Sequence, residues 1–288
     1  MRPRQWAKTL LVYLAFFFTL GDHDASGVSD ELALFGEATL GFLLLCLISG
    51  AAYIINDLFD IEEDQLHPTK RHRPLASGRL ARLPAVVGAA GMAMLGIALA
   101  YLLDLHFGIV ATVYLAITLS YNFYLKDLVI LDAMTIAAGF LLRAAAGAVV
   151  IDVPVSPWLY VMTSLGALLI SFGKRRSELD SLGEEGKNHR LTLDDYSTPL
   201  LDQLIAVVAP STVVAYIIYT FTAENLPAND TMMLTIPFVL FGVFRYLFLV
   251  HNHSIAGAPE EIFLTDRPML ITIVLWLVTA SAILLAAR

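Results

Sequence analysis

Apolar residues run through this chain in long, nearly uninterrupted blocks, each closed by a short polar segment. The blocks fall at about 38–56, 83–103, 105–125, 128–151, 153–173, 203–223, 231–249 and 268–287, and a shorter one, about 6–20, opens on Trp6 and Lys8. A bilayer core about 30 Å thick needs roughly 20 mostly apolar residues per helix. The pattern therefore predicts an all-α, polytopic integral membrane protein with about nine transmembrane helices. The first block also resembles a secretory leader, a basic end followed by TLLVYLAFFFTL, but no clear small-residue cleavage pattern follows it and further spans do. It is expected to be retained. No stretch is long enough for a second soluble domain and no helical-array repeat shows. Residues 1–288 are expected to form one transmembrane domain, with polar loops at about 57–82 and 174–200 as its cap.

Charge changes the picture by giving the spans an orientation. Arg2, Arg4 and Lys8 precede or open the first block; Lys70, Arg71, Arg73, Arg79 and Arg82 lie between the second and third; Lys126 follows the fourth. Lys174, Arg175, Arg176, Lys187 and Arg190 follow the sixth, and Arg245 and Arg267 flank the loop after the eighth. The alternate segments carry Asp22, Asp24, Asp30, Glu31 and Glu37, then Asp104, Asp152, Glu224 and Asp230, with no lysine or arginine. Cytoplasmic loops carry the lysine and arginine excess. Nine spans with the amino end inside put every basic loop on the cytoplasmic side of the inner (plasma) membrane. Composition agrees: 58% of residues are hydrophobic and 15% charged, against about a quarter charged in soluble domains. The net charge of −8 is segregated by loop, and no nucleic-acid partner is expected. Cys46 lies inside an apolar block and has no cysteine to pair with.

The second block ends on YIINDLFDIEED. Asn56, Asp57, Asp60 and Asp64 recur at helical intervals, so an amide and three carboxylates gather on one face. Any one Asp is an ordinary polar helix end. The set is not, because like charges at that spacing repel and the carboxyl end of a helix disfavours negative charge. A cation among them resolves the repulsion. Hard oxygen ligands suit Mg²⁺, which keeps several waters and binds through one or two carboxylates plus substrate phosphate. The chain then turns basic at Lys70, Arg71 and Arg73, between Pro68, Pro74 and Gly78. Beyond their topogenic role, such residues can clamp phosphate, arginine by its fork and lysine as a point charge.

The NDLFDIEED stretch resembles the NDxxDxxxD signature of the UbiA superfamily of intramembrane prenyltransferases. The resemblance implies a nine-helix fold and a cytoplasm-facing, Mg²⁺-dependent diphosphate site, with Asn56, Asp57, Asp60 and Asp64 at the motif positions and Asp57, Asp60 and Asp64 as metal ligands. Superfamily members that ionise a polyprenyl diphosphate carry a second Asp-rich motif near the end of the sixth span. Here SFGKRRSELD stands instead, with Lys174, Arg175, Glu178 and Asp180. RPRQWAK, HPTKRHRPLASG, GKRRSEL and PEEIFLTDR are similar to the decaprenyl-phosphate phosphoribosyltransferase branch. That likeness implies transfer of phosphoribose from phosphoribosyl diphosphate to a polyprenyl phosphate lipid, with release of diphosphate.

Several polar positions remain. Lys174 and Glu178 share a face at i, i+4, which is also the spacing of a plain salt bridge. Asp132 and Arg143 lie inside the fifth block, where charge usually faces a cavity or a partner. Eleven residues return to nearly the same face, about 16 Å along the axis. Tyr121 and Lys126, in YNFYLK, stand at the mouth of the fourth span and resemble a Tyr–Lys motif of the superfamily. On this reading Asp57, Asp60, Lys174 and Glu178 carry catalysis. Asn56, Lys70, Arg71, Arg73, Tyr121, Lys126, Asp132, Arg143 and Arg175 bind substrate. A rival enzyme would join a polyprenyl diphosphate to an aromatic or glycerol-phosphate acceptor. A transporter is the rival from another class, but an acidic cluster at one helix end lacks the midplane placement of a carrier site. His251 and His253 show no metal-ligand spacing and are expected in a solvated loop.

Overall fold

The computed structural model describes residues 3–19, 28–66, 70–182, 195–223, 226, 229–252, 262, 263 and 265–286. Among them every regular element is helical. A 3-10 helix, Pro3–Val12, leads into α1 (Tyr13–Thr19), followed by α2 (Val28–Phe59), the short α3 (Ile61–Leu66), α4 (Arg82–Leu103) and α5 (Leu105–Phe123). Then come α6 (Leu131–Val150), α7 (Pro157–Leu182), α8 (Thr198–Thr222), α9 (Ile236–Asn252) and α10 (Arg267–Ala286). Arg2, Asp22, Asp24, Pro68, Lys187, Arg190, Glu224 and His253 lie outside the described residues.

Seven helical segments among the described residues are long and apolar enough to cross a membrane. They account for seven of the nine expected spans. The first expected span is the shorter apolar helix Trp6–Thr19. The sixth is α7, whose 26 residues suffice by length but carry a charged last third. Two boundaries differ from the expected ones. Helix α2 begins at Val28 rather than near 38, because Asp30 and Glu31 stand in its first turn, where the positive end of the helix dipole favours them. At its other end α2 runs on to Phe59, so the loop expected from 57 is helical there and again in α3.

The chain divides into two compact units: Met1–Phe16, Leu32–Leu128 and Ala138–Val155 form the first, and Phe17–Glu31, Val129–Ala137 and Ser156–Arg288 the second. In the first, Val12, Leu45, Ile48, Phe107 and Tyr114 pack with Ala38, Ala100, Ala111, Ala146 and Ala148. Lipid is as apolar as leucine, so helices in a bilayer associate by close packing of small residues. The clearest case is Gly147, where an added Cβ would meet the Val12 carbonyl oxygen at 1.9 Å. The large apolar side chains of α4, such as Leu83, Val87, Met94 and Leu102, remain exposed, as a helix facing lipid requires. Asp104 joins α4 to α5 by itself: its N–H donates to Ala100 O, and its carboxylate accepts the Phe107 N–H at 2.8 Å.

In the second unit, Leu169, Phe172, Leu201, Ile205, Tyr246, Leu249 and Met269 form the core. Ser197 caps α8 by accepting the Leu200 N–H. The α7 backbone at Gly173 approaches Tyr246 so closely that a Cβ would stand 2.1 Å from its hydroxyl.

Candidate active site

In the first unit the acidic end of α2 is closed by two cations. The Asp60 N–H donates to Asn56 O at 3.0 Å and the Asp64 N–H to Asp60 O at 2.8 Å, so the helical path continues from α2 into α3 despite a bend at Asp60. Asn56 Nδ2 donates to Asp60 Oδ2 at 2.6 Å, and Lys126 Nζ, just past α5, reaches Asp60 Oδ1 at 3.0 Å. Arg73 Nη1 lies 3.2 Å from Asp57 Oδ1 and 2.5 Å from Asp64 Oδ2. Asp64 is 2% exposed, which makes this the tighter half of the bridge. The repulsion expected among the carboxylates is thus met, in the protein alone, by a guanidinium and an ammonium.

The segment that presents Arg73 is itself built. Arg73 N–H donates to Lys70 O, and the Leu80 N–H to Pro74 O. Arg79 Nη2 donates to His72 O at 2.5 Å, and Gln65 Nε2 to Ala76 O at 3.2 Å. Gly78 sits at φ +75°, the left-handed region that glycine adopts without penalty. Leu75 packs on Ile61 and Ala85, with Ile54 and Leu58 beside them. Lys70 and Arg71 are exposed on this turn, and Tyr121 is half-buried on the last turn of α5.

The donor set suits Mg²⁺ in a particular way. Among the described residues no three His, Cys, Asp or Glu side chains converge as a cage, because Arg73 stands between Asp57 and Asp64. In this arrangement Arg73 bridges Asp57 and Asp64, while Asn56 and Lys126 hold Asp60. One or two carboxylates remain to be offered, the number Mg²⁺ takes when phosphate and water complete its shell.

A second polar network lies in the other unit. Asp132, in the first turn of α6, is fully buried. Its Oδ2 accepts from Arg175 Nε at 2.7 Å and its Oδ1 from Tyr196 OH at 2.8 Å. Tyr196 OH also accepts the Ile130 N–H at 2.7 Å. Burial, then the bond to Asp132, pushes the Tyr196 phenol well above its ordinary range. Arg175 is 2% exposed and also donates to Glu178 at 2.6 Å, at i, i+3. Arg175, expected to bind substrate, and Glu178, expected to carry catalysis, are thus engaged in the fold's own ion pairs. Lys174 is half-buried one residue earlier. Arg176 bonds Asp180 and, at 2.8 Å, Asp202, which His251 Nε2 approaches at 3.4 Å. His251 therefore ends α9 rather than standing in a solvated loop. Arg245 forks onto Asp266 at 3.2 and 2.8 Å, holding that carboxyl below its usual range.

Arg143 takes neither network. It lies in the first unit, 6% exposed, donating to Tyr114 OH at 2.5 Å and Gly139 O at 3.0 Å, with its guanidinium 4.8 Å from the Tyr114 ring centre. Ser49 Oγ joins Tyr114 OH at 2.9 Å. Arg143 and Asp132, expected on one face, share no partner among the described residues. Tyr196 went unnoticed in the sequence: a lone tyrosine before a helix cap carries no periodic or charge signal.

A family model of the UbiA prenyltransferase family matches residues 10–173. The chain is 35% identical to a decaprenyl-phosphate phosphoribosyltransferase of Mycolicibacterium smegmatis, over 98% of this chain and 90% of that protein. It is 30% identical to one from Corynebacterium glutamicum, over 96% and 82%. Among solved structures, a UbiA homolog from Archaeoglobus fulgidus bound to GPP and Mg²⁺ superposes with a TM-score of 0.74 at 19% identity, covering 99% of this chain and 97% of that one.

Proposed function

This chain belongs to the UbiA prenyltransferase family, and on that premise we propose that it transfers phosphoribose from phosphoribosyl diphosphate to a polyprenyl phosphate such as decaprenyl phosphate. It is a multi-pass membrane transferase, and relatives of similar length carry the name decaprenyl-phosphate phosphoribosyltransferase. The observation that carries the reading at the level of chemistry is the carboxylate cluster held by two cations, Arg73 and Lys126. Arg73 and Lys126 are bound to carboxylates where a diphosphate would bring anionic oxygens of its own.

Asp57 and Asp60 are the residues to hold Mg²⁺. When bound there, the ion supplies positive charge for a leaving diphosphate. Arg73 and Lys126 then have a second task, moving from carboxylate to phosphate oxygens and stabilising charge as it develops. The bond from the anomeric carbon to the diphosphate oxygen breaks, and the lipid phosphate oxygen bonds to that carbon from the opposite face, with inversion. The nucleophile is already an anion, so no general base is needed and positioning dominates. The lysine and arginine asymmetry supports a site that faces the cytoplasm, where a hydrophilic diphosphate donor is dissolved.

The test uses purified protein, radiolabelled phosphoribosyl diphosphate and decaprenyl phosphate. Label should pass to the lipid with Mg²⁺ and stop reversibly in EDTA. Asp57→Ala and Asp60→Ala should each lower kcat by at least about a hundredfold while the protein stays folded and membrane-inserted. Asp64→Ala should be milder in turnover, and should lose about 1.5–3 kcal/mol of stability with its charged hydrogen bond to Arg73. Prenyl transfer to 4-hydroxybenzoate or a glycerol phosphate, with phosphoribosyl diphosphate left untouched, would overturn the proposal.

A further inference from the structure

Within the first unit, α2 and α5 lie side by side and run the same way. An added Cβ on Gly41 would stand 3.4 Å from the Phe107 ring, and Ser49 Oγ is 2.9 Å from Tyr114 OH. Further along, the Phe59 and Phe123 rings meet edge-on at 4.7 Å, and Lys126 Nζ reaches Asp60 Oδ1 at 3.0 Å. In every one of these pairs the second residue stands 64 to 66 positions after the first. A constant offset means parallel helices in one register. That register decides whether Lys126 meets Asp60.

The apolar contacts do not fix it. Dispersion between rings and small residues has no direction, and lipid exerts no hydrophobic force that holds one helix at a given height along another. The Ser49–Tyr114 pair does have a direction. Such a bond is lost once its atoms part beyond about 3.5 Å, and sliding by one helical turn moves them about 5.4 Å. Ser49 is 3% and Tyr114 2% exposed, and the bilayer core has no water to take over the bond. Tyr114 is in turn held from α6. Arg143 Nη2 donates to its hydroxyl at 2.5 Å, the guanidinium lies 4.8 Å from its ring centre, and Nη1 donates to Gly139 O at 3.0 Å. A planar fork suits that double task, and an ammonium does not. The arrangement is costly: Arg143 Nε is buried with no hydrogen-bond partner among the described residues, in a span where any charge is expensive. The cation is retained on the ring that sets the register.

We propose that Tyr114, clamped by Arg143, is a positioning residue for the carboxylate site. Its bond to Ser49 fixes the height of α5 along α2, and with it the reach of Lys126 to Asp60 and to the donor's phosphate. Ser49 precedes Asp60 by 11 residues and Tyr114 precedes Lys126 by 12, about 16 and 18 Å along the two axes. The brace therefore acts from deep in the span on a salt bridge at its polar end. The inference rests on the function proposed above and adds the device that sets the site's geometry.

Two measurements test it. Positions 40 and 120, both exposed, lie on α2 and α5 about 22 Å apart along the axes. Spin labels placed there in a Cys46-free background should give one narrow distance distribution. Tyr114→Phe, which keeps the ring and removes only the hydroxyl, should add a population displaced by roughly 5 Å, and so should Ser49→Ala. An unchanged distribution in both folded variants overturns the proposal. The second measurement is kinetic. Tyr114→Phe should raise the donor KM about tenfold and leave the lipid KM within about twofold. The double variant with Ser49→Ala should be no worse than either single one, because both remove the same bond. In a Lys126→Met background, Tyr114→Phe should raise the donor KM by less than about twofold, although residues more than about 10 Å apart ordinarily act independently. A tenfold rise that persists without Lys126 overturns the proposal. A displaced spin-label population in a protein that transfers no phosphoribose would leave the register standing and sink the function.

Discussion

Lys174 and Arg175 are neighbours in sequence with opposite prospects. Arg175 is buried against Asp132 and Glu178, and Asp132 has no exposure at all. Removing one partner of a buried pair leaves the other charge uncompensated, at a cost of about 3–5 kcal/mol. Arg175→Ala should therefore be seen first as poor yield and a lowered Tm in detergent. Lys174→Ala should raise the donor KM about tenfold, the loss of one charge-assisted phosphate contact; an unchanged donor KM would remove Lys174 from the site. Tyr196 gives a pH signature. Its phenol is pushed up in the fold, so its contribution is present below the free phenol's value of about 10 and is lost as pH rises past that value toward the folded one. The wild type should lose Tm more steeply than Tyr196→Phe above about pH 10. Parallel alkaline curves would show that the Asp132 bond contributes nothing.

At the scale of elements, the loop after α3 holds the site's geometry, and Gly78 is its hinge point. Alanine at φ +75° costs about 1–2 kcal/mol of backbone strain. Gly78→Ala should loosen the turn that carries Arg73, lowering kcat severalfold while Asp57 and Asp60 are untouched; full activity in that variant would show that Arg73 is placed without the turn. The elements differ in how far they could be read beforehand. The spans were legible because length and hydropathy alone define them, and the carboxylate face because α2 repeats at a fixed interval. The Arg73 bridge was not, since a loop has no period to say which of Lys70, Arg71 and Arg73 turns inward. For the same reason the basic end of α7 looked like a phosphate clamp: whether an arginine faces substrate or a buried aspartate depends on a partner 43 positions away. The early start of α2 was missed because its first turns are as polar as a loop.

For the whole molecule, the charge asymmetry along the chain makes a topological prediction. In a Cys46-free background, a single cysteine at position 66 should resist an impermeant reagent applied to intact cells, and one at position 30 should react. Labelling of position 66 from outside would reverse the orientation and remove the cytoplasmic donor.

One packing detail also bears on how the protein is made. The backbone of Val12 lies directly against Gly147 of α6, and no side chain could stand between them. The amino-terminal segment thus has its seat on a helix that does not exist until three long spans have been synthesised. At about 5–20 residues per second, that leaves an interval on the order of 10 s during which the first segment waits beside the translocon with its docking face uncovered. A bulky residue at position 147 should therefore be felt at this seat, as a chain that inserts but does not close.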